Sequence, residues 1–358
     1  MSNKKKNAKK SKGLPLVSLC TPTFNRRPFI PFMIKCFQDQ TYPKDKIEWI
    51  IIDDGTDPIE DLVKDIPQVK YFYYDEKMVL GKKRNLMHAK STGDIIIYMD
   101  DDDYYPPERI SHAVEMLQNN PKCLIAGSSE MHIYFESKNT VYQCGPYGPN
   151  HATAATFAFR KELLTKTRYN EDAACAEESG FLKQYSFPMV QLDTLKTILV
   201  CSHKHNSLNK EKLLLENPER TRTVLSRFTI DDFIKDPILK QFYTHDMNML
   251  LENYEPGKPE NKPKVLEHLK KLEEERAKRE EMMTLQYKIK SMFNNNANTI
   301  AMTEVEKICI SYEQKLQENN LLINELFKKV KMLTEENKNL KSVMCKANEV
   351  NEINNINV

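Results

Sequence analysis

The 358-residue chain holds 53 Lys and Arg against 51 Asp and Glu, a formal net charge of +2. So even a balance gives no global field for nucleic acid, and no nucleic-acid partner is expected. Hydrophobic residues reach 40%, enough for a sizeable core, yet no apolar run is long enough for a membrane span.

In chain order, Lys4, Lys5, Lys6, Lys9, Lys10 and Lys12 make residues 1–13 a basic tail, expected to be disordered. The apolar stretch 14–20 behind it is too short for a secretory leader and predicts the first strand, over 17–21, broken by Pro22. Helical spacing follows over 29–38, then a buried strand over 47–52 ending in Asp53, Asp54 and Gly55. A short helix is expected over 59–65, a strand over 69–73, a helix over 82–89, a strand over 95–99 and a helix over 107–118. Such alternation predicts an α/β fold with a mostly parallel central sheet flanked by helices. Strand-like pieces then occur at 124–127, 131–135, 154–159 and 197–201. The eight cysteines are scattered without a CxxC pair, which excludes a zinc ribbon or disulfide framework and predicts a soluble cytoplasmic protein.

The fourth strand closes on Asp100, Asp101, Asp102 and Asp103. Carboxylates this close cannot all stay ionised without a positive partner. A divalent cation with oxygen ligands, shared with phosphates, is the usual remedy. Three polar clusters fall at carboxyl ends of strands, 21–25, Asp53 with Asp54, and the aspartate run. Ligands of open α/β sheets bind there.

These segments together resemble a known family. Pro22-Thr23-Phe24-Asn25, Asp53-Asp54-Gly55-Thr56, Gly81-Lys82-Lys83-Arg84-Asn85 and Asp100-Asp101-Asp102-Asp103 are similar, in order, to motifs of the family 2 glycosyltransferases of the GT-A fold. The resemblance covers roughly 14–210. It implies an inverting, metal-dependent transferase moving sugar from a UDP-sugar to a hydroxyl of a protein or glycan. It places Asp102 and Asp100 on Mn²⁺ or Mg²⁺, with Asp100 also near the ribose and Asp101 at a replaceable position. It puts Asp53 at the nucleobase with Asp54 nearby, Phe24 against the base, and Arg84 and Thr23 on the donor. The family's E-D pair matches Glu177 and Glu178, so Glu178 is the expected general base and Glu177 the alternative; Glu171 and Asp172 are rivals. His205 is a candidate metal or diphosphate contact, and at most one of His203 and His205 is expected to enter the site. Asp103 is expected to orient its neighbours.

Beyond this region, 211–292 is expected as a helical extension, 293–303 as an Asn-rich linker, 304–346 as a coiled coil and 347–358 as a disordered tail. Heptad a positions take Cys309, Leu316, Ile323, Val330, Asn337 and Met344; d positions take Tyr312, Asn319, Leu326, Leu333 and Leu340. Ile and Val at a with Leu at d favour a parallel homodimer. An amphipathic helix packed on its own chain is the alternative. Two other functions use similar features: a nucleotidyltransferase, though the 22–26 turn lacks a Gly-rich phosphate loop, and an interaction protein with a degenerate enzyme domain.

Overall fold

The computed structural model describes residues 13–216 and 221–294, and farther on 307, 311–312, 314–334 and 337. The expected basic tail through 12, the linker from 295, the tail 347–358 and the heptad residues Cys309, Leu340 and Met344 lie outside the described residues. The chain divides into two compact units, Met1–Glu273 and Glu274–Val358.

The first unit is built on a seven-stranded sheet. Its strands are β1 (Val17–Thr23), β2 (Ile47–Asp53), β3 (Val69–Tyr73), β4 (Ile95–Tyr98), β5 (Ile125–Gly127), β8 (Ala158–Arg160) and β9 (Met189–Gln191). They lie in the order β3-β2-β1-β4-β8-β5-β9. All neighbours run parallel except β8, which is antiparallel to β4 and β5. The chain walks outward from β1 to β3, then returns to the other side of β1 with β4. That reversal opens a crevice at the carboxyl ends of β1 and β4. The helices α1 (Ile30–Gln38), α2 (Glu60–Val63), α3 (Leu80–Lys90) and α4 (Arg109–Asn119) fall between the strands as expected. Strand β2 is buried over its whole length, because helices cover both faces of a parallel sheet.

A second sheet has the order β10-β6-β7-β11, from β6 (Met131–Phe135), β7 (Thr140–Cys144), β10 (Leu199–Ser202) and β11 (Thr223–Leu225). Strands β7, β9 and β11 carry no clear sequence signal, being short or half exposed. The strand expected over 154–159 begins instead as a 3₁₀ turn, Ala154–Thr156, where Thr156 Oγ1 donates to the Thr153 carbonyl at 2.7 Å. Only then does β8 start.

Residues 230–262, expected as part of an extension, pack onto the sheet domain. Phe242 stacks on Phe32 of α1 with centroids 3.5 Å apart, and Tyr243 Oη donates to the Asp103 carbonyl at 2.9 Å. Ile230, Phe233, Leu239, Met247 and Leu251 join the main core. Their spacing is interrupted by Pro and short helical turns, so no long period announces them. A helix then spans Pro263–Asn294.

In the second unit, residues 314–334 are helical, and Leu316, Ile323, Leu326, Val330 and Leu333 are exposed. Among the described residues no helix is long and apolar enough to cross a membrane.

Candidate functional site

The carboxyl ends of β1 and β4 open into a cavity of 290 Å³. Its lining brings Asp100, Asp101 and Asp102 together with Arg26, Lys83, Arg84, Lys210 and Lys262, and includes Thr23 and Phe24. Contacts between the two sheets aim the aspartates. Tyr104 bridges to Leu199 of β10, and Asp103 Oδ1 accepts the Cys201 N–H at 3.0 Å. Asp103 is thus spent on joining the two sheets and leaves its three predecessors at the crevice.

Asp102 sits between two donors. Arg26 Nη2 donates to its Oδ2 at 3.2 Å, and His203 Nε2 lies 3.1 Å from the same oxygen. The His205 backbone N–H donates to His203 Nδ1 at 3.1 Å, and the Asn206 side-chain amide nitrogen stands 2.7 Å from Nε2. Burial holds that ring neutral, with its pKa down to about 3, against the pull of Asp102. Burial also pushes the Asp102 carboxyl up, but Arg26, His203 and Lys210 outweigh it and hold it well below the usual carboxylate range. Burial and the charge of Asp102 push Asp101 up to about 7, with Arg26 opposing from 3.6 Å. Asp100 is raised by burial, with Arg84 drawing it down, and its Oδ1 is buried without a hydrogen-bond partner.

His205, expected as a metal or diphosphate contact, is carried away from Asp102. Strand β10 ends at Ser202, and Asn206 Oδ1 takes the His203 N–H at 2.9 Å, closing a turn. His203 keeps facing Asp102, while the His205 ring lies beside Tyr254 and its carbonyl accepts from Arg26 at 3.1 Å.

The Asp53-Asp54 turn divides its labour. Asp53 is committed to the turn itself: Oδ1 accepts from the Gly55 N–H at 2.9 Å, and Oδ2 accepts from the Ile59 N–H at 3.1 Å and Tyr71 Oη at 2.7 Å. Asp54 pairs with Lys83 Nζ at 2.5 Å and accepts the Met78 N–H at 2.6 Å. Asp54 also lines a second, wider cavity of 1090 Å³ that shares Phe24 and Lys77 with the first. Lys77 Nζ stands 3.4 Å over the Phe24 ring centroid.

The acid pair follows Ala174 and Cys175, which line the cavity, and is not itself in the lining. Gly81 makes the approach possible: a Cβ there would fall on the Asn170 carbonyl oxygen, and the Gly81 N–H donates to the Ala173 carbonyl at 2.9 Å. Helix α3 therefore docks flush on the acidic loop. Arg84 of α3 pairs with Glu177 at 2.7 Å, both buried, and its guanidinium lies 4.4 Å from the Tyr98 ring centroid. Glu177 is thereby spent on Arg84. Glu178, half-buried at the start of α5 (Glu178–Phe181), is pushed up to about 7 by burial and by the charge of Glu177. Glu178 is not in the cavity lining itself. Glu171 and Asp172 are exposed, and Glu171 pairs with Arg168.

Among the described residues no three His, Cys, Asp or Glu side chains gather as a metal cage. Asp102 and Asp100, the latter with its unpartnered buried Oδ1, nonetheless fit a hard cation. Such ions are held by one or two carboxylates and complete their shell from substrate phosphates. His203, whose Nε2 meets both Asp102 and the Asn206 amide, is outside the cavity lining and orients Asp102 instead.

Sequence reasoning did not single out Arg26, Lys83, His203, Lys210 or Lys262. Arg26 and Lys83 stand inside or beside the motifs, and the need to neutralise a buried acidic run pointed to such cations. Lys210 and Lys262 lie in a polar stretch that offers no such signal.

Residues 18–175 match the model of a family described as glycosyl transferase family 2. A GalNAc(5)-diNAcBac-PP-undecaprenol β-1,3-glucosyltransferase of Campylobacter jejuni is 28% identical over 181 residues, 44% of this chain and 56% of that protein. An uncharacterized glycosyltransferase of Haemophilus influenzae is 30% identical over 113 residues, 30% of this chain and 44% of that one. The chain thus spans about half the length of these curated relatives. Among solved structures, a mannosyltransferase of Pyrobaculum calidifontis in complex with GDP-Man and Mn²⁺ is 15% identical, with a TM-score of 0.45, over 83% of this chain and 81% of that one.

Proposed function

We propose, from the match of residues 18–175 to the glycosyl transferase family 2 model, that this chain is an inverting, metal-dependent glycosyltransferase. It moves a sugar from a UDP-sugar to a hydroxyl of a protein or glycan. The observation that carries the reading is the juxtaposition of Asp100 and Asp102 with Arg26, Lys83, Arg84 and Lys210 around one crevice. Carboxylates and cations in one buried cleft suit a diphosphate that arrives with a divalent ion. When bound, that ion, Mn²⁺ or Mg²⁺, offsets the negative charge of the departing nucleotide.

The chain's own residues do the rest. Phe24, with Asp54 nearby, borders the space for the base and ribose. Lys77 would move off the Phe24 ring to admit it. Arg26 and Lys210 meet the diphosphate as the bond from the anomeric carbon to its phosphate oxygen breaks. The acceptor oxygen bonds to that carbon from the opposite face, and Glu178 takes the hydroxyl proton. Glu177 holds Arg84 and, by its charge, keeps Glu178 basic enough for the task. A panel of UDP- and GDP-sugars with Mn²⁺, scored for release of free nucleotide, tests the reading. Release from at least one UDP-sugar is expected; no release from any member would overturn it.

The exposed Leu316, Ile323 and Val330, with Leu326 and Leu333, form one seam at a and d spacing. In our reading they pair with a second copy as a parallel coiled coil. Sedimentation equilibrium of the full chain is expected to return a dimer mass that falls to monomer in Ile323→Asp. A monomeric wild type would end this part of the proposal.

A further inference from the structure

We propose that Lys262, carried on a strap of residues 254–262, is a ligand of the donor's diphosphate. The inference rests on the nucleotide-sugar reading above. The strap lies well outside the family-matched stretch 18–175, yet it is fastened to that domain's motif loops. Asn25 Nδ2 donates to the Pro256 carbonyl at 2.9 Å, and Lys77 Nζ to the Asn261 carbonyl at 2.9 Å. Tyr254 Oη donates to Asp57 Oδ2 at 2.8 Å. Gly257 lets the strap lie flush: a Cβ there would stand 2.6 Å from His205 Nδ1 and 2.9 Å from the Asn25 carbonyl oxygen.

The strap delivers one buried cation. Lys262 is 9% exposed and lines the same cavity as Asp101, Asp102 and Arg84. The one hydrogen bond of its ammonium among the described residues runs to Ser207 Oγ at 3.2 Å. An ammonium taken out of water with only a hydroxyl for company is costly. Asp101 and Asp102 attract it but do not bond it among the described residues, and both are already paired with Arg26. A diphosphate entering between Arg26, Lys210 and Lys262 supplies the missing anion. It also explains why a segment so far along the chain reaches back into the crevice. Lys262 then meets charge that grows on the leaving nucleotide, so its contribution is larger as the bond breaks than at donor binding.

The test compares the full wild-type chain with Lys262→Met, which keeps the packed stem without the charge, and Lys262→Arg. Calorimetric titration with UDP and with uridine, in the presence of Mn²⁺, is the readout, with thermal melting as the check on folding. Lys262→Met is expected to weaken UDP about 10–100-fold and leave uridine unchanged, and Lys262→Arg to recover most of the loss. Equal weakening of UDP and uridine would mean that the residue only props the strap, and unchanged UDP affinity would remove it from the diphosphate site. Either result overturns the inference while the cleft still binds nucleotide. A wild type that binds neither UDP nor uridine overturns the nucleotide-sugar reading itself.

Discussion

Asp102→Ala is expected to lower release of nucleotide from the donor by about 10²–10³-fold, the scale of removing one preorganised electrostatic partner of a developing charge. The reason is that Asp102 is the carboxylate of the run most strongly held in its ionised form. Arg26 and His203 both bond its Oδ2, and together with Lys210 they hold its pKa well below the usual range despite burial. Its neighbours are different: burial and the charge of Asp102 raise Asp101 to about 7, and Asp103 is tied to the Cys201 N–H. Asp102→Asn is the sharper variant, since it keeps the shape and loses only the charge. The same fall is expected in it, together with loss of the Mn²⁺ requirement for UDP binding measured by titration. Full turnover in both variants would remove Asp102 from the metal site.

Glu178→Gln is expected to reduce kcat by about 10²–10⁴-fold, the usual worth of a general base, with UDP affinity unchanged. Burial and the charge of Glu177 raise Glu178 to about 7. The base must be unprotonated to work, so in the wild type kcat/KM is expected to rise with pH up to about 7 and level off above it. The variant loses that acid limb. Glu177→Gln behaves differently, because it strands the buried Arg84 guanidinium without its partner; its first effect is on thermal stability. A Glu178→Gln enzyme that keeps its rate and its acid limb would shift the base to another group.

Much of the fold was legible because its signals are local. The buried runs of β2 and β4, the helical spacing of α1 and the turn at Gly55 each follow from a few adjacent residues. The same holds for the clustering of Thr23, Asp54 and the aspartates, since strand ends in a parallel sheet share one edge. In the His203–His205 segment it is His203, not His205, that meets Asp102, for an equally physical reason. Alternation applies only while a strand continues, and here the turn closed by Asn206 ends it one residue before His203. Asp53 likewise carries a motif's shape, yet its oxygens are taken by Gly55, Ile59 and Tyr71, and only coordinates reveal a partner 18 residues away.

By itself the sequence determined that this chain builds a mostly parallel α/β sheet, where its polar strand ends fall, and that an acidic run of this density must meet cations. Spacing and composition suffice for those conclusions, since they depend on neighbours within a turn or a strand. Which cations do the meeting was decided by tertiary structure alone. Arg26 lies 76 residues from Asp102, Glu177 lies 93 residues from Arg84, and Lys262 arrives on a strap from beyond the second sheet. A single sequence carries no periodic signal for charges that far apart; packing of the 230–262 segment against α1 brings the last of them in.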